Sequence, residues 1–462
     1  VSYFRNKGDL LSQGRSGLRR LVLDIADVAL TETDPYPAAL RQLSLDGDTL
    51  VAGVRRYALS AGQRIFAIGA GKATFPIAKA IEEVLGPHLH SGLVVCKHGQ
   101  EGSLARIELR LASHPMPDKA SFEAAMATQE LLREVRAGDI VIACFSGGSS
   151  SLFVDPVPGV SLEDKACASQ VLLTCGANII EINNVRKHLS LVKGGRLVRR
   201  LPAGTHVINL TVSDVIGDAL DYITDPSVPD RSTSLDARAT LEKYGLKERL
   251  PASVVNHLMR GDADAETARE ADLAHLDRHD ILLVSADAAC HAAARAALAR
   301  GLTPVILSTR FEGESLELGR TMAAIAKQIL LDGNPAKPPC LLIGGGETTV
   351  HLLKGHRAGS GGPNQEFAAS VALEIESNPH IVALGLDTDG TDGPTPYAGA
   401  IVDGSSATTA RRQGIDLHRK LADHDVSAAL EQIGDIVITG ATGNNVNDLK
   451  LVVVADPNQN RT

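Results

Sequence analysis

Tryptophan is absent from this 462-residue chain, and aromatic residues make up only 3% of it. The net charge is -9. Without rings to stack on bases and without a basic surplus, the chain lacks what nucleic-acid binding relies on. Paired cysteines are missing too. Cys96, Cys144, Cys167, Cys175, Cys290 and Cys340 are scattered and form no CxxC pair. Several sit in apolar runs, which points to buried free thiols rather than disulfides or a zinc site. No window approaches the roughly 18 apolar residues of a membrane span. The early stretch FRNKGDLLSQGRSGLRR is polar and basic, with no apolar core of a signal peptide. The expected compartment is therefore the cytoplasm, with neither membrane nor nucleic acid as partner.

What is present is 44% hydrophobic residues, 22% charged residues and 43 glycines. That composition describes a globular α/β protein, and the length predicts two domains. Apolar runs at 64–68, 92–97, 140–145 and 205–214 read as strands, with helical segments between them. The alternation indicates parallel βαβ units. Residues 16–59 read as two amphipathic helices broken near Asp34-Pro35, and 161–180 as one helix. A looser, charged stretch at 225–278 places the domain junction near 275–280, giving domains 1–277 and 278–462. A fresh unit then begins with ILLVSA (281–286), followed by TPVILST, CLLIGGG, IVALGLD, AIVD and DIVITG.

Polar clusters recur where these strands end, which is where open parallel sheets hold ligands. RIFAIGAGKA (64–73) runs a strand into a glycine turn that delivers Lys72. It is neither a dinucleotide fingerprint, which needs glycine where Thr74 stands, nor a P-loop, which needs glycine at Phe66 and a hydroxyl at Ala73. An ordinary β–α turn with a surface lysine fits the same residues. SGGSSS (146–151) combines hydroxyls, glycine N–H groups and a helix start into an anion cradle, or into a plain serine N-cap. VRKHLSLVKGGR (185–196) supplies Arg186, Lys187, Lys193 and Arg196. If it is helical through 193, Arg186 and Lys193 share a face, as a carboxylate or phosphate clamp or as a solvated basic face. SDVIGD (213–218) ends a strand on Asp214, a candidate general base, with Asp218 four residues on. GGGETT and GSGGPNQE carry Glu347 and Glu366, and DTDGTDGPT carries Asp387, Asp389 and Asp392. Three acids within six residues beside a glycine-rich region favour Mg²⁺, although the run lacks an EF-hand's length and closing glutamate.

Taken in order, GAGKA, SHPMPD, SGGSSS, NNVRKHLSLVKGGRL, SDVIGD, GGGETT, GGPNQE, DTDGTDGPT and TGATGNNVNDL resemble the MOFRL-type glycerate 2-kinases across residues 16–455. The resemblance implies two α/β domains, each a mostly parallel sheet flanked by helices, the N-terminal one Rossmann-like, with the active site between them. It implies ATP- and Mg²⁺-dependent phosphorylation of D-glycerate to 2-phosphoglycerate. The family's essential lysine falls on Lys72 and its essential aspartate on Asp214. An arginine that some relatives use falls on Pro363, so Arg186, Lys193 or Arg196 is expected in its place. A second departure is DPSVPDRST (225–233), where relatives carry a more glycine-rich turn.

The expected mechanism has Asp214 accepting the 2-hydroxyl proton and Lys72 stabilising the transferring phosphoryl group. Arg186, Lys193, Arg196 and Ser146 hold the substrate. Gly147, Gly148, Ser149 and Ser150, with Gly345, Gly346, Thr348 and Asn364, cradle ATP. Glu347, Asp389 and Asp392 hold Mg²⁺. A homodimer is the expected assembly. Relatives are often labelled hydroxypyruvate reductase, so an NAD(P)H-dependent reductase is one alternative, and a non-catalytic sugar-acid-binding protein is another.

Overall fold

A computed structural model describes residues 2–100, 102–214, 225–261, 265–352 and 359–458. The chain divides into two compact units, Pro35–Val284 and a discontinuous one built from Val1–Asp34 and Ser285–Thr462.

The Pro35–Val284 unit is organised on six parallel strands. β4 (Ile65–Ala70), β5 (Leu89–Lys97), β6 (Ile107–Ala112), β7 (Ile140–Phe145), β8 (His206–Val212) and β9 (Asp277–Val284) lie in the order β6-β5-β4-β7-β8-β9. Every pairing is parallel. β4 and β7 are buried along their whole length, as strands covered on both faces must be. This is the doubly wound order of dinucleotide-binding folds, and its winding reverses between β4 and β7.

Three departures from the sequence reading appear here. Residues 43–58 are not helical. β1 (Leu43–Asp46), β2 (Thr49–Ala52) and β3 (Arg55–Ala58) form an antiparallel meander. Its two tight turns place Gly47 and Gly53 at φ of 57° and 55°, which only glycine adopts cheaply. The stretch 161–180 is two helices, Leu162–Leu173 and Ile179–His188, each opened by a side-chain cap, Ser161 and Asn178. The apolar run at 281–284 does not start a new domain, because β9 closes the first sheet beside β8.

The other unit carries β10 (Thr303–Phe311), β11 (Cys340–Gly346), β12 (Ile381–Asp387), β13 (Gly399–Asp403), β14 (Ile436–Val437) and β15 (Asp448–Val454), in the order β10-β11-β15-β12-β13-β14. β10 and β11 pair in parallel, whereas β15 runs antiparallel to both its neighbours and β13 to both of its own. Four strands thus point one way and two against them, so the sheet is mixed. Helices Ser315–Asp332 and Pro363–Glu374 pack together over it through Met322, Ala326, Phe367 and Val371.

The first 34 residues belong to this unit rather than to the segment that follows them. Helix Ser16–Glu32 buries Val22, Leu23, Ile25, Ala26, Ala29 and Leu30 on one face, the 3.6-residue pattern of a core helix. It packs on helix Ala288–Leu298, β12 and β15. Arg19 on the same face is 1% exposed and bridges Asp403 (2.8 Å) and Asp435 (2.7 Å). Burying an arginine demands such partners, and these lie about 400 residues away in sequence.

Candidate active site

In the Pro35–Val284 unit, the candidate residues collect at the carboxyl ends of β4, β7 and β8, on both sides of the point where the winding reverses. Two turns there are laced together. Lys72 N–H donates to the Gly147 carbonyl (2.9 Å), Ser146 N–H to the Ala70 carbonyl (3.1 Å) and Ala73 N–H to Ser146 Oγ (3.0 Å). The Gln100 amide donates to the Lys72 carbonyl. Ser146 is 2% exposed and bridges to Val212, so it braces three strand ends rather than facing a substrate freely. Gly71 must lack a side chain, since a Cβ would stand 2.1 Å from Ser146 Oγ. Gly148, at φ 87°, opens the short helix Ser149–Leu152. A Cβ there would stand 3.1 Å from Lys72 Cγ and 3.3 Å from the His114 ring, so the lysine stem and the imidazole both lie against this glycine. Lys72 and Asp214 are half-buried, with Ser149 buried and Ser150 half-buried between the turns. Asp218 lies outside the described residues.

Behind the SGGSSS turn is a set of buried cations. Lys193 is fully buried and its Nζ donates to the Ser149 carbonyl (2.9 Å). Lys165, 3% exposed, donates to the Leu189 carbonyl (2.8 Å). Among the described residues, neither these two nor Arg186 forms an ion pair. Burial pushes all three down, and they repel one another: Lys165 to about 7, Arg186 to about 10 and Lys193 well below the ordinary lysine range. Asp155 and Asp225 are close enough to oppose this in part. Burial raises Asp225 itself to about 6. Isolated buried cations cost several kcal/mol each, so this geometry is one that an incoming anion relieves.

The expected clamp is therefore built differently. The helix carrying Arg186 ends at His188, so Arg186 and Lys193 do not share a helical face. Arg196 is 3% exposed and donates to the carbonyls of Ser190, Ala265 and Glu266, which makes it a brace for the chain around it. Lys187 pairs with Asp230 at 2.6 Å. Lys165 escaped the sequence reading. Its signal was a lysine in line with Ala168 and Leu172, three and seven residues on, along a buried helical stripe.

The discontinuous unit gathers its polar turns by a side-chain network. Strand register sets Gly346 and Asp387 on either side of Asp448. Asp448 accepts from Asn364 Nδ2 (2.7 Å), Lys450 Nζ (2.7 Å) and the Thr348 N–H (3.3 Å). Asn364 thus anchors turns as part of a buried core network. Asp392, expected to hold metal, is 1% exposed and caps helix Pro363–Glu374, accepting from the backbone and side chains of both Asn364 and Gln365. Gly345 and Gly346 are the last residues of β11, buried where a Cβ would strike Cys290 Sγ or the Phe311 carbonyl. Glu347 is exposed and Asp389 buried. Among the described residues, no three His, Cys, Asp or Glu side chains converge as a metal site. Asp448 and Lys450 were missed because no turn signal marks β15 as a strand that starts inside a polar cluster.

Comparison with known proteins agrees with this architecture. The model of a domain of unknown function, DUF4147, matches residues 21–259, and that of the MOFRL family matches residues 340–448. A protein named glycerate 2-kinase from Pyrococcus horikoshii is 38% identical over 439 residues, 95% of this chain and 97% of its own length. One named D-glycerate 2-kinase from Thermotoga maritima is 42% identical over 377 residues, 81% of this chain and 86% of the relative. A crystal structure titled glycerate kinase from Thermotoga maritima superposes with a TM-score of 0.77 at 37% identity, covering 95% of this chain and all of that one. The chain, with its doubly wound DUF4147 unit and its MOFRL segment, belongs to the glycerate 2-kinase family.

Proposed function

We propose that this chain transfers the γ-phosphoryl group of ATP to the 2-hydroxyl of D-glycerate. The observation that carries the reading is the trio of buried Lys165 and Lys193 and half-buried Arg186, without ion-pair partners among the described residues, with Lys193 tied through Ser149 to the turn against which Lys72 lies. A phosphoryl transfer is chiefly a matter of placing and neutralising negative charge. Arg186, the least buried of the three, is the group to meet the glycerate carboxylate, with Lys165 and Lys193 supplying field from behind. Asp214, two residues past the end of β8, accepts the hydroxyl proton as the oxygen attacks phosphorus. Lys72 neutralises the equatorial oxygens of the transferring group. The Gly147–Ser150 turn presents backbone N–H groups to phosphate.

Mg²⁺ enters this reading with the nucleotide. It keeps several waters and takes only one or two carboxylates beside the phosphates. Asp392 is engaged by four donors, which leaves Glu347 and Asp389 as the side chains assigned to the ion. When bound, the ion would neutralise charge on the β- and γ-phosphates.

The test is ³¹P NMR of the full chain with Mg-ATP and D-glycerate. Appearance of 2-phosphoglycerate supports the reading. Formation of 3-phosphoglycerate would overturn the regiochemistry. An unchanged ATP spectrum, together with NADH oxidation by hydroxypyruvate, would replace the reading with a reductase.

A further inference from the structure

The opposite edge of the parallel sheet holds a second cluster of charged groups, which the kinase reading does not use. An open cavity of about 340 Å³ lies where β3 crosses the first residues of β8 and β9. Arg55, Tyr57, His206 and Asp277 line it. His206 and Asp277 open their strands and stand opposite each other in register. The seven residues of β8, at about 3.3 Å each, place this end roughly 23 Å from the end that leads to Asp214.

The hydrogen-bonding capacity left in this cavity is one-sided. Both Asp277 oxygens are engaged, one by Arg55 Nη1 (2.8 Å) and the other by His206 Nδ1 (2.8 Å). Gln63, also in the lining, donates to the Gly138 carbonyl and accepts from Ser60 N–H. Each Asp277 oxygen thus has a donor, and its charge is balanced by Arg55 and His206, while donor groups remain. Arg55, with five N–H groups, gives one to Asp277 and lies beside the Tyr57 hydroxyl, which leaves others for a ligand. Tyr57 is 7% exposed, its ring set edge-on to His206 at 5.4 Å, and its buried hydroxyl lies beside the Arg55 guanidinium. An oxyanion at this point would accept from the hydroxyl and from the Arg55 guanidinium together. Arg56, paired with the exposed Asp46 at 3.2 Å, adds a second guanidinium at the rim.

We propose that this cavity is a binding site for a small oxyanion, separate from the catalytic turns. Arg55 and the Tyr57 hydroxyl are its central donors and Arg56 its rim charge. The shared chemistry is a phosphate or carboxylate group, as carried by small metabolites. The proposal does not depend on the kinase reading.

Isothermal titration of the full chain with inorganic phosphate, and separately with malonate, tests it. Arg55→Gln, Tyr57→Phe and Arg186→Gln are compared with the parent. The expected result is two classes of site. Arg55→Gln and Tyr57→Phe each weaken one class at least tenfold, the scale of a lost charge-assisted or buried hydrogen bond, and leave turnover unchanged. Arg186→Gln weakens only the other class. Whichever probe binds tighter to the Arg55 class identifies its ligands as phosphate esters or carboxylates. Arg55→Gln breaks a half-exposed ion pair, and Tyr57→Phe removes a single oxygen, so both variants keep the fold. Phosphate and malonate isotherms that are unchanged in both variants would overturn the proposal.

Discussion

The two units bury charge in opposite ways. Beneath the turns of the parallel sheet, Lys165, Arg186 and Lys193 have carbonyls or no polar partner, and no carboxylate among the described residues. Beneath the turns of the mixed sheet, Lys450 is 1% exposed yet sits 2.7 Å from Asp448, and Arg19 holds two aspartates. The second arrangement is self-sufficient and fixes its turns in place. The first has Asp155 and Asp225 nearby but no carboxylate within ion-pair distance among the described residues, an arrangement that suits an incoming anion. Buried lysines of similar exposure thus differ in their partners, and the proposed function assigns the unpaired ones to the anion.

Matched substitutions can break this comparison. The largest effect is expected at Lys450→Met, which leaves Asp448 buried without its cation. Chemical denaturation should show a loss of about 3–5 kcal/mol, and a loss below 1 kcal/mol would mean that the network does not hold the turns. Next is Lys72→Ala, predicted to lower kcat by ~10²–10³ with an unchanged circular dichroism spectrum, as for a lost electrostatic stabiliser. Retention of kcat within tenfold would remove its catalytic role. Lys165→Met should go the other way from Lys450→Met. It removes a buried amine that is partly neutral at pH 7, so stability should hold or rise, while the KM for glycerate rises. A stability loss would show that Lys165 is a structural cation after all.

The smallest expected effect is on pH. Lys165 titrates near 7 in the folded chain and far higher when unfolded. Between those values the unfolded state binds the extra proton, so this group makes stability rise with pH from about 7 upward. A bound anion restores the proton, so glycerate affinity should fall as pH rises above 7, by at most about tenfold per unit. A KM that is flat from pH 7 to 9 would separate Lys165 from the anion.

How far the sequence could be read follows from the same physics. Strands β4, β7, β11 and β12 were legible because each is an apolar run that stops at a polar or glycine turn, a purely local signal. So were the turns that carry Lys72 and SGGSSS. The 43–58 meander was hidden by short strands of mixed polarity, although Asp46-Gly47 and Ala52-Gly53 were available as turn marks. Arg19 carries no mark of its role in the sequence, because its partners are set by tertiary structure alone. Asp392 looked like a metal ligand because an aspartate that caps a helix across a turn has the same letter as one that binds an ion. Roles that depend on which partner arrives from elsewhere in the chain cannot be read from spacing.

The discontinuous unit also imposes an order on the making of the protein. Helix Ser16–Glu32 leaves the ribosome early, but the helix and strands it packs on, Ala288–Leu298, β12 and β15, come only after all of Pro35–Val284. At roughly 5–20 residues per second, its apolar face waits for tens of seconds. During that interval the Pro35–Val284 unit can complete its sheet, while the first segment has no partner of its own. A nascent chain of this protein thus carries an amphipathic helix whose apolar face stays uncovered until the last strands are made.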